Sequence, residues 1–473
     1  MKSKQNKIED DRKRVVVLAL DGVPYSFLRR IIDDGFMPNL AKLVTTDNFK
    51  PMDSVMPPVS SVAWSSFMTG LAPINHRIHG FIERVPQTME VYVPTADHQR
   101  GKTLWEYLSE YDRRVFVMNV PVTYPPRQVN GILIGGFLGT DILKNTYPTV
   151  VGRQLLEKDY RIDVDTISAR EDLDGFITEL DYVYEKRVET LWDFFFHESW
   201  DFFIAHIMET DRLHHFLWEH MQDNDRRYTD FFYSIYRKID QLIGRLVENL
   251  ADNTHLIILS DHGFTTLKKE VFINKWLYDQ GWLKFAGTEP PDSLHHIHPD
   301  SLAYSLIPGR IYLNLNRREK NGRILPGIEY EKYREELKDT LMQMVDDTDG
   351  ERVIEAVYRT EELYAGLKDR IIIDPEQKTD STHPHYLSPD LVIQPREGYD
   401  FKGNLWRHNL TEKGPIVGTH TFNDAFLLVK DRTLQDKSFS IVDMMPTILD
   451  LLQIPIPENL DGKSVLDRQK AKG

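Results

Sequence analysis

Cysteine is absent from all 473 residues, which excludes disulfides, thiolate catalysis and every zinc or iron–sulfur site built on cysteine. Any metal must therefore be held by His, Asp, Glu, Ser or Thr. No uninterrupted apolar stretch approaches the roughly 18 residues that mark a bilayer span, so none is expected. Positive charge is short as well: 58 Lys and Arg stand against 73 Asp and Glu, a formal charge of −15. That balance repels polyanions at long range, so no nucleic acid polymer is expected as a partner. A small anion can still bind where cations are held in the site. The N-terminus, MKSKQNKIEDDRKR, mixes both charge signs and runs directly into Val15 to Leu20, too short for a signal core followed by a cleavage site. A cytoplasmic location is the expectation. Repeats of fixed period and low-complexity tracts are also missing, and nothing in the sequence sets an oligomeric state.

What is present is a hydrophobic content of 41%, ample for a large core. Val15 to Leu20 is a continuous β-branched and apolar run that ends in Asp21-Gly22, the pattern of a strand buried on both faces. Further buried-strand candidates are Arg114 to Val120, Ile132 to Phe137, Asp201 to Met208, His255 to Ser260 and Ala425 to Lys430. Between them lie helical patterns at Tyr25 to Asp34, Asp172 to Glu198 and Arg226 to Leu250, with a last helix at Ser440 to Leu452. Strands alternating with helices predict an α/β fold, a mostly parallel sheet covered on both sides. Residues 265–415 break this rhythm. They are rich in Pro, Gly and charge, include the polar stretch Asp374 to Pro389, carry a helix at about 329 to 347, and are too long for a loop in a compact domain. The expected division is a discontinuous core, 12–264 and 416–467, with 265–415 inserted as a cap.

In open α/β sheets ligands gather at the carboxyl ends of strands, so reactive residues there carry the most information. Asp21 follows the first strand, Asp211 and His215 follow IAHIM, Asp261 and His262 follow HLIILS, and His420 lies in GTHTFND before the strand at Ala425. A helix that opens at Thr210 or Asp211 places Asp211 and His215 on one face by their i, i+4 spacing. Gly263 permits the turn that lets the adjacent Asp261 and His262 converge. Singly, these read as helix caps, turns or core histidines; together, all at strand ends, they point to a two-metal site. Three Asp and three His suit zinc, manganese or iron better than calcium.

The stretch PPVSSVAWSSFMTG, residues 57 to 70, raises the question of a nucleophile. Two prolines bar helix, and Ser61 to Thr69 can form one that ends at Gly70, which places Ser60 at or beside the N-cap. Ala63 denies Ser60 the reciprocal partner of a capping box. A helix N-terminus lowers the cost of an alkoxide and offers amides to a phosphate, and metal coordination would activate the hydroxyl.

In this order, Asp21, Ser60, Asp211-x-x-x-His215, Asp261-His262 and His420 resemble the alkaline phosphatase superfamily, specifically its type I phosphodiesterase/nucleotide pyrophosphatase branch. Matching segments include VVVLALDGVPYSFLRRIIDDGFMPNLAKL, PPVSSVAWSSFMTGLAP, NVPVTYPPRQVNG, METDRLHHFLW, LSDHGF, GTHTFNDAFLL and SIVDMMPTILDLLQIPIPENLDGKS. The resemblance implies an alkaline-phosphatase-like three-layer αβα sandwich with inserted caps. It implies two divalent ions, zinc first with manganese or iron acceptable, one held by Asp21, Ser60, Asp261 and His262 and the other by Asp211, His215 and His420. Ser60 stands where this branch places its nucleophile, and the implied activity is hydrolysis of a small phosphate ester, nucleotide-like or other, through a phosphoseryl intermediate. Relatives often carry Asn a few residues after His-Gly to bind a phosphate oxygen; HGFIER puts Arg84 near that place, as a charged clamp, and the backbone amide of Ser61 is a second candidate. The clamp keeps a phosphomonoesterase in view beside the diester reading. Val62 stands where relatives often have proline.

Other readings fail on particular residues. GKT at 101 to 103 and GKS at 462 to 464 lack the Gly five residues earlier, where Ala96 and Pro457 stand, so neither is a P-loop. Ser60-Ser61-Val62-Ala63-Trp64 lacks the Pro-x-Arg tail of a sulfatase, and the serine motif of the phosphoglycerate mutases is absent. The histidine pairs and triplets at His295, His296 and His298 and at His383 and His385 have no strand-end frame and read as solvated loops. Trp64, Tyr124 and Phe264 read as core or pocket lining. A non-catalytic binding relative would have lost a ligand or the nucleophile, and all seven positions are intact.

Overall fold

A computed structural model describes residues 12–467 except 138, 140, 224, 288–289, 365–376, 382 and 384. Most of the basic and acidic N-terminal segment and part of the Asp374 to Pro389 stretch therefore lie outside the described residues. An eight-stranded sheet forms the centre, in the order Phe49–Met52, Ala425–Val429, Thr254–Leu259, Arg14–Leu20, Phe202–Ile207, Val115–Val120, Gly131–Gly135 and Thr146–Tyr147. From Thr254–Leu259 through Gly131–Gly135 the neighbours run parallel. Phe49–Met52 and Ala425–Val429 close one edge antiparallel, and Thr146–Tyr147 closes the other.

The parity of the first strand explains the layers. Val16, Leu18 and Leu20 enter one hydrophobic core, and Val15, Val17 and Ala19 enter another on the opposite face. None of these side chains is more than 1% exposed. Full burial of a Val or Leu contributes about 1.5–3 kcal/mol, so the run is apolar throughout because both faces are covered. The first core contains the long helices Leu173–His197 and Arg226–Asn249; the second contains Ser60–Thr69 and Met444–Leu451. Observed bounds fall within a residue or two of the sequence expectation for these strands and long helices, while the last helix is preceded by a 3₁₀ turn at Ile441–Asp443.

Within 265–415, strands Ala303–Leu306, Arg310–Leu313, Leu391–Pro395 and Ile354–Arg359 form a four-stranded antiparallel sheet in that order. The helix Ile328–Leu341 belongs to the same hydrophobic cluster, which draws on residues from Val271 to Leu405 and on Met89. Alternation there is weak in the sequence because these strands are short and the polar loops between them dominate the composition.

Candidate metal centre and active site

Odd-numbered residues of the first strand face the Ser60–Thr69 helix, and Asp21 continues that parity just beyond the strand end. Its carboxylate meets the first helical residue: Ser60 Oγ donates to Asp21 Oδ1 at 3.1 Å. The helix starts at Ser60, with Val59 as an extended N-cap, and ends at Gly70 in a left-handed conformation. Ser60 makes no side-chain capping bond. Its hydroxyl faces the carboxylate instead, while the first backbone amides of the helix have no acceptor within it. Ser61 Oγ is buried without a partner.

Asp261 and His262 arrive from the neighbouring parallel strand. Asp261 Oδ1 accepts the Gly22 amide at 3.0 Å, and its Oδ2 is buried with no hydrogen-bond partner. Gly22 sits at φ 66°, and a Cβ there would lie 3.1 Å from His262 Cε1 and 3.3 Å from Asp211 Oδ1, so glycine permits both the turn and the approach of the two side chains. His262 Nδ1 lies 3.1 Å from the Gly263 carbonyl. Donation there leaves Nε2 as a lone pair, 3.3 Å from Asp261 Oδ2, 3.6 Å from Asp21 Oδ1 and 3.4 Å from Ser60 Oγ.

The second group forms on the helix Glu209–Gln222, which opens directly after Phe202–Ile207. Asp211 lies in its first turn and His215 one turn on, as the spacing requires. His420, which the sequence placed before the strand at Ala425, has a short strand of its own. It lies in the strand Gly418–Thr421, paired with Gly263–Thr266 so that Phe264 is directly opposite. His215 Nδ1 lies 3.0 Å from the Gly418 carbonyl, which turns its Nε2 inward by the same logic. The two Nε2 atoms are 3.0 Å apart, and Asp211 Oδ1 is 3.2 Å from that of His420 and 3.5 Å from that of His215.

Two sets of ligand atoms, Asp21/Asp261/His262 and Asp211/His215/His420, thus each converge within 4.8 Å. They adjoin: the rings of His262 and His420 are 4.0 Å apart between centroids. Among the described residues no third such group forms. His296 pairs with Asp292 at 3.2 Å instead, and His383 contacts His385.

The electrostatics describe a pocket built for cations. Burial, then the charges of Asp21 and Asp211, push the Asp261 carboxyl well above its ordinary range. Burial also raises Asp21 and Asp211, but histidine partners outweigh it and hold both below the usual carboxylate value, His206 for Asp21, and His215 and His420 for Asp211. Burial pushes His262 down to about 3 and His215 to about 4, so both imidazoles are neutral and able to ligate. Three crowded carboxylates, one with an orphaned buried oxygen, and inward-facing imidazole nitrogens fit divalent cations.

The family model for type I phosphodiesterase/nucleotide pyrophosphatase matches residues 15–423. The chain belongs to this family. It is a phosphoryl-transfer hydrolase of that group, with an alkaline-phosphatase-like fold. Among solved structures it is similar to the phosphonoacetate hydrolase of Sinorhizobium meliloti 1021 in complex with phosphonoacetate, at 16% identity and a TM-score of 0.61, covering 93% of this chain and 96% of that one. It is also similar to human ectonucleotide pyrophosphatase/phosphodiesterase 5, at 14% identity and a TM-score of 0.55, covering 96% and 100%. A search of curated proteins finds no match.

Arg84 corrects the sequence reading. Its side chain is fully buried, and its guanidinium binds Glu319 at 2.8 Å, the Leu387 carbonyl at 3.3 Å and the Tyr304 hydroxyl, with Tyr312 stacked 3.6 Å away. Each of its three nitrogens bonds within residues 304–387 and the side chain is fully enclosed, so the guanidinium is engaged by the inserted segment. Arg84 packs against the inserted segment.

Sequence reasoning missed the groups around the ligands. His206, inside the strand Phe202–Ile207, is paired in register with Ala19 and lies 2.7 Å from Asp21 Oδ2 through Nε2. Trp64 Nε1 donates to the same oxygen at 2.9 Å. Arg212 binds Asp211 Oδ2 at 2.9 Å and is itself gripped by both oxygens of Asp163. A histidine in an otherwise apolar strand was the available signal for the first. Phe264 lies across from His420 beside a cleft of ≈ 740 Å³, bordered by Ser26, Arg30, Glu355, Arg396, Glu397 and His420.

Proposed function

We propose that this hydrolase is binuclear and metal-dependent, cleaving phosphodiester or nucleotide pyrophosphate bonds in a small substrate through a phosphoseryl intermediate on Ser60. Asp21, Ser60, Asp261 and His262 would hold one divalent ion, and Asp211, His215 and His420 the other, with zinc favoured and manganese or iron accepted by the same donors. Bound there, such ions lower the pKa of a coordinated hydroxyl or water and neutralise charge that builds on phosphoryl oxygens. The observation that carries the reading is the contact of the two ligand sets at His262 and His420, with Ser60 Oγ 3.4 Å from His262 Nε2.

The residues of the chain supply positioning. Asp21 Oδ1 holds the Ser60 hydroxyl at the head of the helix, where unpaired amides, that of Ser61 among them, can receive a phosphoryl oxygen. Ser60 Oγ attacks phosphorus, an Oγ–P bond forms, and the bond from phosphorus to the leaving oxygen breaks in line. Water then cleaves the Oγ–P bond and restores Ser60. His215 and His420 are 19% and 13% exposed in their side chains, whereas Asp21, Asp261 and His262 are fully enclosed, so substrate and water enter beside the Asp211 set. Diesters are favoured over monoesters because Arg84, the residue the sequence offered for the extra charge of a dianion, is tied up by Glu319.

The test is a substrate panel on zinc- and manganese-loaded protein: p-nitrophenyl phosphate, bis-p-nitrophenyl phosphate and a nucleotide pyrophosphate, with wild type and Ser60→Ala. Turnover of the diester or pyrophosphate that falls by about 10³-fold or more in Ser60→Ala is the expected result. Comparable rates in the variant remove Ser60 as nucleophile, and a preparation that takes up no metal removes the binuclear reading.

A further inference from the structure

Each of the three carboxylates in the centre has one oxygen engaged by the protein and the other turned toward the ligand sets. For Asp261 the engaged oxygen is Oδ1, held by the Gly22 amide; for Asp211 it is Oδ2, held by Arg212. Asp21 differs in that two ring nitrogens, Trp64 Nε1 at 2.9 Å and His206 Nε2 at 2.7 Å, grip the same oxygen, Oδ2. The two rings meet edge to face, 4.8 Å between centroids and 80° between planes. Trp64 and His206 are both fully buried, and His206 Nδ1 has no hydrogen-bond partner. Leaving that nitrogen bare carries a desolvation cost that a leucine in the same strand would avoid. Packing alone therefore does not account for histidine at this position.

On the binuclear reading above, we infer that Trp64 and His206 are positioning residues that lock Asp21 as a one-oxygen ligand. With Oδ2 saturated by two donors, only Oδ1 can reach a cation, and the carboxylate cannot swing into a two-oxygen mode that would take a coordination place from Ser60 or substrate. The partner nitrogens also fix the ring-to-carboxylate distance from two directions: Trp64 one helical turn after Ser60, and His206 from the sheet. Ser60 and Asp21 are thereby held to one frame.

The experiment uses the full-length protein loaded with Zn(II), with stepwise affinities from chelator competition and with the visible spectrum of the Co(II)-substituted form. His206→Leu removes one donor, Trp64→Phe removes the other while keeping an aromatic ring, and His206→Gln restores an N–H at similar reach. Loss of an outer partner typically costs 10–100-fold in metal affinity. His206→Leu and Trp64→Phe should therefore each weaken one of the two steps by about 10–100-fold and alter the Co(II) spectrum while leaving the other step within about 3-fold, and His206→Gln, which keeps a donor at that position, should restore the step lost in His206→Leu. Circular dichroism and thermal unfolding of each variant separate this from a general loss of fold, and Trp64→Phe carries the test if His206→Leu does not fold. Unchanged affinities and spectrum in folded His206→Leu or Trp64→Phe, or equal weakening of both steps, overturn the inference. A wild type that binds no metal refutes the binuclear reading instead.

Discussion

Arg84→Met separates a packing role from a catalytic one. In wild type the guanidinium and Glu319 are both without solvent exposure and bind at 2.8 Å, and Glu319 also accepts from Arg318 at 2.8 Å. Removing Arg84 leaves Glu319 still bound by Arg318, but it strips the Tyr304 hydroxyl, the Leu387 carbonyl and the Tyr312 ring of their partner, at about 1–3 kcal/mol for a buried polar group left unpaired. That is a large share of the roughly 5–15 kcal/mol that holds a typical domain. The urea midpoint followed by circular dichroism should fall accordingly. Catalysis gives the opposite signature. A charged hydrogen bond to a phosphoryl oxygen is worth about 1.5–3 kcal/mol, so a clamp would lose about 10–150-fold in kcat/KM, selectively on monoesters. The structure requires instead that kcat/KM per folded molecule stay within about 3-fold for p-nitrophenyl phosphate and bis-p-nitrophenyl phosphate alike. Near-wild-type stability with a selective monoester defect would refute the reasoning.

Graded chelation should release metal in two stages, the Asp211 set before the enclosed Asp21 set, because only the former has exposed histidines; simultaneous release in a metal assay contradicts this. Gly418→Ala places a Cβ 2.4 Å from the His214 carbonyl and 2.6 Å from the Phe264 ring, so the His420 strand must shift; metal stoichiometry should drop toward one ion per chain, and retention of two would count against it. Burial pushes His76 down to about 3 from 6.5, so between those values the unfolded chain binds a proton that the folded chain refuses. Its share of stability is present above pH 6.5 and is lost as pH falls toward 3, at most about 5 kcal/mol. Urea midpoints against pH should therefore slope less in His76→Gln than in wild type, and parallel slopes would exclude the effect.

Residues at strand ends were the readable part of the sequence. A buried parallel strand announces itself by an unbroken apolar run, and the polar residue that ends it must stand at the carboxyl edge of the sheet; Asp21, Asp211 and Asp261 were found in that way, and the fold brings them together. His420 was found by motif, but its strand was not, since Gly418–Thr421 gains its pairing only from Gly263–Thr266, more than a hundred residues earlier. His206 was passed over because within FFIAHI it has no local feature to distinguish it from a core residue, and its partner lies 185 positions away. Arg84 was misread for the same reason. Glu319 is 235 residues distant, and no periodicity links an exposed-looking HGFIER to a carboxylate in the inserted segment. The antiparallel edges of the sheet were likewise unseen, because strand direction is not encoded in apolar runs.

The cleft beside His420 is walled on one side by Ser26 and Arg30 and on the other by Glu355, Arg396 and Glu397. None of the seven proposed ligand and nucleophile positions falls within 265–415, whereas the second wall comes wholly from it. On the proposed function, bond-breaking and the choice of leaving group fall to different lengths of polypeptide. Rewriting the loop at 396–398 should exchange one alcohol for another while the machinery that cuts stays as it is.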